Sequence, residues 1–267
     1  MSLMHNQKIM LHFKQGNAKL NQRTIHFSLP SGHSCPGACD CLSKADEISG
    51  KITDGPDTQF RCWAASQEAR SPALRRKLWS NLFQLKAVKG VEQIYDLLYE
   101  SFAPVHDDYA QNHQQYPYVR HGVSGDFFSR DYFEAWILLA SVFKDTQFYA
   151  YTKSIPFWTK YKHDIPHNFV LNASLGGKWD QEVYYQGFKY AKVVYSIEEA
   201  MSLGLELDHD DSLARVHGPS FALLLHGTQP ANSKASAALQ LLKVNNGWTG
   251  YGKTHRTSIP NLQKACA

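Results

Sequence analysis

The chain has 267 residues, of which 43% are hydrophobic and 19% charged, so it holds enough apolar material for a large core without disulfide support. Its formal net charge of +4 permits an anionic partner such as nucleic acid without requiring one. No apolar run reaches about 18 residues and residues 1–6 carry no signal-peptide pattern, so we expect a cytoplasmic protein with no membrane partner.

The N-terminal part of the chain is predicted to contain an arm at residues 1–23, a strand at 24–29 and a cysteine loop at 33–62. The polar lead within the arm, residues 5–21, is predicted to be a short edge strand or a loose segment. A turn-rich insert, 44–59, lies within that loop. Residues 107–115 are too polar for a core position. The predicted helices in this part are 60–86, in which Pro72 marks a kink or a break, and 91–102.

From residue 116 onward, short apolar strands alternate with helical segments. Continuous apolar runs such as 221–225 suit central parallel strands that helices cover on both sides. The sequence therefore predicts an α/β fold in a single domain, 24–245, built as a partial (β/α) barrel of about six parallel strands and followed by a tail at 246–267. The later strands are predicted at 118–123, 147–152, 168–174, 191–196 and 220–226, and the helices at 130–143, 155–162, 179–186, 197–203 and 233–242.

Four of the five cysteines, Cys35, Cys39, Cys41 and Cys62, lie in the cysteine loop, and Cys266 lies near the chain end. In a cytoplasmic protein such clustering indicates metal ligands or catalytic groups rather than disulfides. Three thiolates leave one iron of an iron–sulfur cube open to another ligand, whereas four close the cube. Because one residue separates Cys39 from Cys41, we expect Cys35, Cys41 and Cys62 to bind a cluster, with Cys39 spare.

Zinc is the alternative to a cluster. Four thiolates would satisfy a tetrahedral structural zinc ion, and all four loop cysteines would then be ligands. The paired Cys-x2-Cys spacing that is usual for such sites is absent from this chain. The spacing therefore favours a [4Fe–4S] cluster and leaves zinc open.

Polar residues follow each predicted strand, where (β/α) barrels carry their active sites. Strand ends run into polar loops in most proteins, so each of these residues also has an ordinary structural interpretation. Asp126 could cap a turn, Lys153 could be a simple loop lysine, and His226 could be a hydrogen-bonded structural histidine. The candidates at the strand ends are Ser124, Gly125, Asp126, Lys153, Asn172, Ser174 and His226.

Several segments between residues 24 and 243 resemble the phage "gene product 88" family. The resemblance implies a protein encoded by a phage or mobile element and does not by itself imply a reaction. The segments that carry it are Phe27-Ser28-Leu29-Pro30, Cys35-Pro36-Gly37-Ala38, residues 50–56, Phe60-Arg61-Cys62, residues 124–128, residues 148–154 and residues 224–230.

A more distant resemblance is to phage proteins akin to the radical S-adenosylmethionine (SAM) enzymes. Cys62-Trp63-Ala64, Gly125-Asp126-Phe127-Phe128 and Tyr151-Thr152-Lys153-Ser154 stand in the same order as the corresponding motifs of those proteins. The similarity implies a radical-SAM-like barrel that holds a [4Fe–4S] cluster and SAM. The chain departs from the usual cysteine pattern, Cys-x3-Cys-x2-Cys, because its loop reads Cys-x3-Cys-x-Cys.

The radical-SAM resemblance also implies roles for the strand-end residues. Gly125 and Asp126, with Ser124, would contact the methionine amine of SAM, and Lys153 could pair with a phosphate or with the SAM carboxylate. Asn172, Ser174 and His226 would line the ribose or substrate side. The reaction would be reductive cleavage of SAM to a 5′-deoxyadenosyl radical that abstracts hydrogen from an unknown substrate.

A non-catalytic function is the alternative. A zinc- or cluster-stabilised phage protein could bind nucleic acid or a host protein through the basic run Arg70, Arg75, Arg76 and Lys77, although such runs are usually solvated surface. The acidic run 208–211 could bind a divalent cation, although acidic loops are also usually solvated.

Overall fold

A computed structural model of the chain describes residues 10–17, 20 and 22–251. The strands are β1 Lys14–Gln15, β2 Thr24–His26, β3 Ser43–Ala45, β4 Ile52–Asp54, β5 Tyr118–His121, β6 Gln147–Thr152, β7 Phe169–Ser174, β8 Tyr190–Val194, β9 Glu206–Leu207 and β10 Phe221–Leu224. The helices are α1 Trp63–Arg70, α2 Pro72–Ala87, α3 Gly90–His113, α4 Arg130–Val142, α5 Ile155–Tyr161, α6 Asp180–Gln186, α7 Ile197–Ser202 and α8 Lys234–Asn246. Among the described residues, no helix is long and apolar enough to cross a bilayer.

The centre of the fold is an eight-stranded sheet in the order β1-β2-β5-β6-β7-β8-β10-β9. β1 runs antiparallel to β2, and every other neighbouring pair is parallel. The parallel strands predicted from the sequence are confirmed in their order. The short edge strand β1 confirms one of the two alternatives for the polar lead 5–21, whereas the edge strand β9 was not predicted. Within the described part of the chain the sheet stays open, so the fold is mixed α/β with a largely parallel sheet and no closed barrel.

Several predicted strands end earlier than expected. β2 stops at His26, yet the following residues still run beside β5, since Phe27 N–H donates to the Arg120 carbonyl at 3.0 Å and Leu29 N–H to that of Ser124 at 2.9 Å. The predicted insert 44–59 contains an antiparallel hairpin of β3 and β4. The strand predicted to be central and fully buried, β10, lies next to the edge strand β9, and its Leu223 is only half-buried.

The break predicted at Pro72 is confirmed, and one other helix prediction needs correction. The segment 60–86 forms two helices, because Pro72 starts α2 and the Ser71 side chain caps it by accepting from Leu74 N–H at 3.3 Å. The helix predicted at 91–102 continues as α3 to residue 113. The segment 107–115 is polar, but one of its residues, Tyr109, is buried and only 4% exposed.

The two faces of the sheet differ. On the outer face, α3 to α6 pack aromatic and aliphatic side chains against β2, β5, β6 and β7. The predicted inward positions of α4 are confirmed: Phe133, Trp136 and Ala140 are fully buried and Ile137 is 4% exposed. On the inner face, the segment that follows β9 packs against Tyr149, Val170 and Phe221. The core that holds the sheet rigid is therefore mainly on the outer face.

The acidic run 208–211 is part of that inner-face segment. Asp211 is fully buried and accepts a hydrogen bond from Arg120 Nη1 at 2.5 Å and one from the Tyr149 hydroxyl at 3.1 Å. Asp208 accepts from the N–H groups of Asp210 and Ala214. The acidic run therefore fixes a loop onto the sheet, which corrects its interpretation as solvated surface.

Candidate functional site

A cavity of about 380 Å³ lies at the carboxyl ends of the parallel strands. Residues that follow β5, β6 and β10, the last residue of β7 and the cysteine loop form its wall. All of the predicted site residues line it except Cys39 and Asn172. Those in the wall are Cys35, Cys41, Cys62, Ser124, Gly125, Asp126, Lys153, Ser174 and His226.

The cysteine loop docks directly onto the ends of β6 and β7. Ala38 forms an antiparallel bridge with Gly177, and the N–H groups of Cys39 and Asp40 both donate to the Gly176 carbonyl. Gly37 allows the close approach, since a Cβ atom there would lie 2.2 Å from the Lys153 carbonyl oxygen. This docking places Cys35 and Cys41 in the cavity wall.

Cys62 reaches the same cavity from another element. It stands at the N-cap position of α1, and its N–H donates to the Ser43 hydroxyl at 3.2 Å. Cys35 is held by Gly32 N–H, which donates to its Sγ at 3.3 Å. A turn therefore positions the Cys35 thiol, and the start of α1 positions the Cys62 thiol.

Burial disfavours ionisation of the three thiols in the cavity wall. Burial is the main cause and raises the pKa of Cys35 well above its ordinary value, that of Cys41 in the same direction, and that of Cys62 to about 12. The neighbouring thiols and Asp126 add to the rise for Cys35, whereas Lys153 opposes it for Cys41. Three protonated thiols face the cavity at neutral pH, and a bound cation would ionise them.

The Asp126 carboxylate is engaged with the protein. Oδ1 accepts from Phe127 N–H at 2.7 Å and from the Thr152 hydroxyl at 2.6 Å, and Oδ2 accepts from Lys153 N–H at 2.7 Å. Burial raises the pKa of Asp126 to about 6 against the lowering effect of these bonds. Asp126 therefore joins the ends of β5 and β6, which supports its structural interpretation over contact with a ligand's ammonium group.

Gly125 also differs from its predicted role of giving a ligand room. Its φ is +80°, and a Cβ atom would lie 2.5 Å from Ser34 Oγ and 2.7 Å from Leu29 Cβ. The missing side chain therefore admits the cysteine loop. The Ser124 hydroxyl is likewise used internally, because it donates to the Leu29 carbonyl at 2.7 Å.

Lys153 is anchored at the end of β7. Its Nζ donates to the carbonyl oxygens of Ser174 at 2.6 Å and Leu175 at 2.5 Å, and to the Ser174 hydroxyl at 3.1 Å. The lysine is 6% exposed, so its charge is fixed in the wall of the cavity beside Cys41. It supplies positive potential to the thiol cluster.

Asn172 and His226 differ in their access to the cavity. Asn172 is fully buried, and its Nδ2 donates to the carbonyls of Ala150 and Ala214, so it supports the sheet instead of a ribose. His226 lines the cavity, and its Nδ1 lies 3.1 Å from the Leu224 carbonyl. Its ring is 5.8 Å from that of Trp63.

Glu68 is a cavity residue that the sequence reasoning missed. It is fully buried, Oε1 accepts from Ser31 N–H at 2.9 Å and from the Ser124 hydroxyl at 3.2 Å, and burial raises its pKa. The sequence pattern that could have identified Glu68 was its position on the same helix face as the buried residues Ala64 and Ala65. A carboxylate on a buried helix face needs a specific partner, and here it ties α1 to the cysteine loop.

The basic run on α1 and α2 is not one continuous cationic surface. Arg75 is 5% exposed and donates to the carbonyls of Glu68, Glu47 and Ile48. It therefore holds the β3–β4 connection against α1 and cannot contact a phosphate backbone.

A second pocket, of about 360 Å³, lies on another side of the cysteine loop. It is lined by Cys35 but by neither Cys41 nor Cys62. Across the described ranges, no group of three or more His, Cys, Asp or Glu side chains is placed to hold a metal ion directly. The strand-end cavity is the pocket that collects the predicted residues.

Comparison with known proteins gives one family. No curated protein matches the chain, and no solved structure matches it. The distant similarity to radical SAM proteins therefore has no support from these comparisons. A family model described as gene product 88 matches residues 10–240, which include the whole sheet and the cavity wall up to His226. This chain belongs to the gene product 88 family.

Proposed function

We propose that this protein binds a [4Fe–4S] cluster through Cys35, Cys41 and Cys62 and is a radical-SAM-type enzyme that acts on an unknown substrate. The observation that carries the proposal is the selection among the loop cysteines: these three line one cavity at the strand ends, and Cys39 does not. Three thiols around a cavity match a cluster with one iron left open, whereas a closed site needs four.

The donor set supports the fit. Soft thiolates are the ligands that iron–sulfur clusters require, and Lys153 favours the thiolate form of Cys41. When bound, a reduced cluster of this type would supply the electron that cleaves SAM. The chain's own residues would exclude water and hold the thiols, through the docked cysteine loop and the Asp126 turn.

The remaining cavity wall supports a small-molecule site. Ser174, His226 and Trp63 line the cavity, and the apolar Val193 and Leu225 lie in the same wall. A polar and aromatic lining of this kind suits a nucleoside-like ligand. The same proposal includes a partial (β/α) barrel, a location in the host-cell cytoplasm and a phage or mobile-element origin.

The first experiment tests the cluster. Anaerobically purified protein should contain iron and sulfide and show broad visible absorption. Cys35→Ala, Cys41→Ala and Cys62→Ala should each abolish bound iron and sulfide, because a three-ligand cluster has no spare thiol. Cys39→Ala is the matched control and should retain both.

Two results would contradict the ligand set. Equal loss of metal with Cys39→Ala would indicate a closed four-thiol site, and zinc without sulfide would indicate the structural zinc alternative. Cys266, which lies outside the described residues, provides a further control, and Cys266→Ala should change nothing.

The second experiment tests the reaction. Reduced, cluster-loaded protein incubated with SAM should release 5′-deoxyadenosine and methionine. A fully loaded cluster that neither binds SAM in calorimetry nor yields the nucleoside would end the enzyme proposal. The alternative, a non-catalytic protein that binds nucleic acid or a host protein, would then remain.

A further inference from the structure

Three basic residues stand side by side across the first strands of the sheet. Lys14 of β1 is the register partner of His26 in β2, and His26 is the register partner of Arg120 in β5. All three line the strand-end cavity. Neighbouring register partners point to the same side of a sheet, so the three side chains form one row on its inner face.

Arg120 has donors that its protein partner does not use. Its guanidinium is 10% exposed and bonds Asp211 through Nη1. Nε is buried and has no hydrogen-bond partner within the part of the chain that the structure describes. A buried polar atom without a partner is costly, and the edge formed by Nε and Nη2 is the one that binds carboxylate or phosphate in a bidentate manner.

His26 has a similar unused nitrogen beside it. Its Nε2 lies 3.3 Å from the Gly16 carbonyl, and its buried Nδ1 has no hydrogen-bond partner among the described residues. The pKa of His26 is lowered to about 4, mainly by burial and also by Arg120 and Lys14, against the raising effect of the Gly16 contact. An anion bound beside the ring would offset the two cations and raise the pKa of His26.

We infer that Lys14, His26 and Arg120 form an oxyanion subsite that binds a phosphate or carboxylate group of the ligand in this cavity. The Nε–Nη2 edge of Arg120 holds the group, the Nδ1 side of His26 faces it and donates Nδ1–H when the ring is protonated, and Lys14 adds charge at the cavity mouth. Asp211 keeps the guanidinium oriented. The subsite stands without a cluster, and only its role in presenting a substrate rests on the proposed function.

The experiment follows the His26 ring in the full-length protein by nuclear magnetic resonance. Inorganic phosphate and acetate are the two probes, one for each class of oxyanion. The probe that fits should raise the pKa of His26 by about one unit or more, because the bound anion stabilises the imidazolium. The preferred probe identifies whether the ligand carries a phosphate or a carboxylate.

The variants separate the subsite from general charge. Lys14→Gln should weaken binding of the preferred probe several-fold, and Arg120→Lys should weaken it about tenfold, since lysine can retain the Asp211 pair but not the bidentate edge. Lys144→Gln, which removes an exposed lysine that does not line the cavity, is the control and should leave binding unchanged.

Three outcomes would overturn the inference: no change of the His26 ring with either probe, equal weakening by Lys144→Gln, or unchanged binding in a folded Arg120→Lys protein. These outcomes are distinct from failure of the proposed function. Protein that binds phosphate but holds no iron would retain the subsite and lose the radical-SAM proposal.

Discussion

The two faces of the parallel sheet show how differently neighbouring residues of one strand are used. On β5, Arg120 points to the inner face and pairs with Asp211, whereas the next residue, His121, stacks on Phe127 at a ring distance of 3.9 Å on the outer face. On β10, Leu223 faces the cavity and Leu224 is fully buried under α7 and α8.

This difference between the two faces explains why the apolar composition of the strands did not predict the polar groups on the inner face. Helices cover the outer face, so most of its side chains meet other apolar groups. Against the inner face lie the loop that follows β9 and a cavity, with residues of α1 and α2 in the cavity wall. Burial is therefore similar on the two faces, but the cavity that could hold a charged ligand lies on the inner face.

The largest expected effect lies on the inner face. Asp211→Asn removes the counter-charge of buried Arg120 and should lower the free energy of unfolding by about 3–5 kcal/mol. Asn tolerates the positive φ of 63° at this position, so backbone strain is unchanged. Urea unfolding measures the loss, and Asp210→Asn, half-buried beside it, is the control with less than about 1 kcal/mol expected. Similar losses of unfolding free energy in both variants would show that the Arg120–Asp211 pair stabilises the fold no more than Asp210 does.

The second effect compares the faces within β10. Leu224→Ala should cost about 2–5 kcal/mol in urea unfolding, because it opens a cavity in the packed outer layer. Leu223→Ala should cost about 1 kcal/mol or less, since its side chain already borders a cavity. This expectation replaces the assignment of β10 as a central strand buried on both faces. Equal costs for the two leucines would contradict the contrast between the faces.

The smallest effect concerns pH and His121. Burial, and then Arg120, lower the pKa of His121 to about 3 from an ordinary 6.5. The unfolded chain therefore binds a proton that the folded chain refuses, so stability falls as pH drops from 6.5 toward 3. His121→Phe should remove about 2 kcal/mol of the stability difference between pH 7 and pH 5. Urea midpoints at both pH values test this, and an unchanged difference would place the acid sensitivity elsewhere.

Local patterns predicted much of the fold. Apolar runs located the main parallel strands in order, and the spacing of Phe133, Trp136 and Ala140 located the buried face of α4. They failed for β9, which has only two residues and carries no periodicity to recognise, and they left β1 as one of two alternatives for the polar lead. They also failed at strand ends, where the chain leaves the sheet but keeps an apolar composition.

The site was predicted by residue type but not by role. The cysteine loop and the strand-end residues do meet at one cavity, as the carboxyl ends of parallel strands require. We expected Asp126, Gly125 and Asn172 to touch a ligand. Instead the Asp126 side chain bonds Thr152 and the Asn172 side chain bonds Ala150. Ser34 lies where a side chain at Gly125 would be. A sequence motif does not reveal whether a hydrogen-bonding group is already satisfied inside the protein.

The sequence alone determined the alternation of strands and helices and the density of cysteines, because both depend on residues close together in the chain. Only the tertiary structure decided which thiols share a cavity and which charges are paired. Arg120 and Asp211 lie 91 positions apart, and Cys35 and Cys62 reach the cavity from a turn and a helix start. Such groups meet through sheet register and loop docking, and these depend on packing of the whole chain rather than on local propensity.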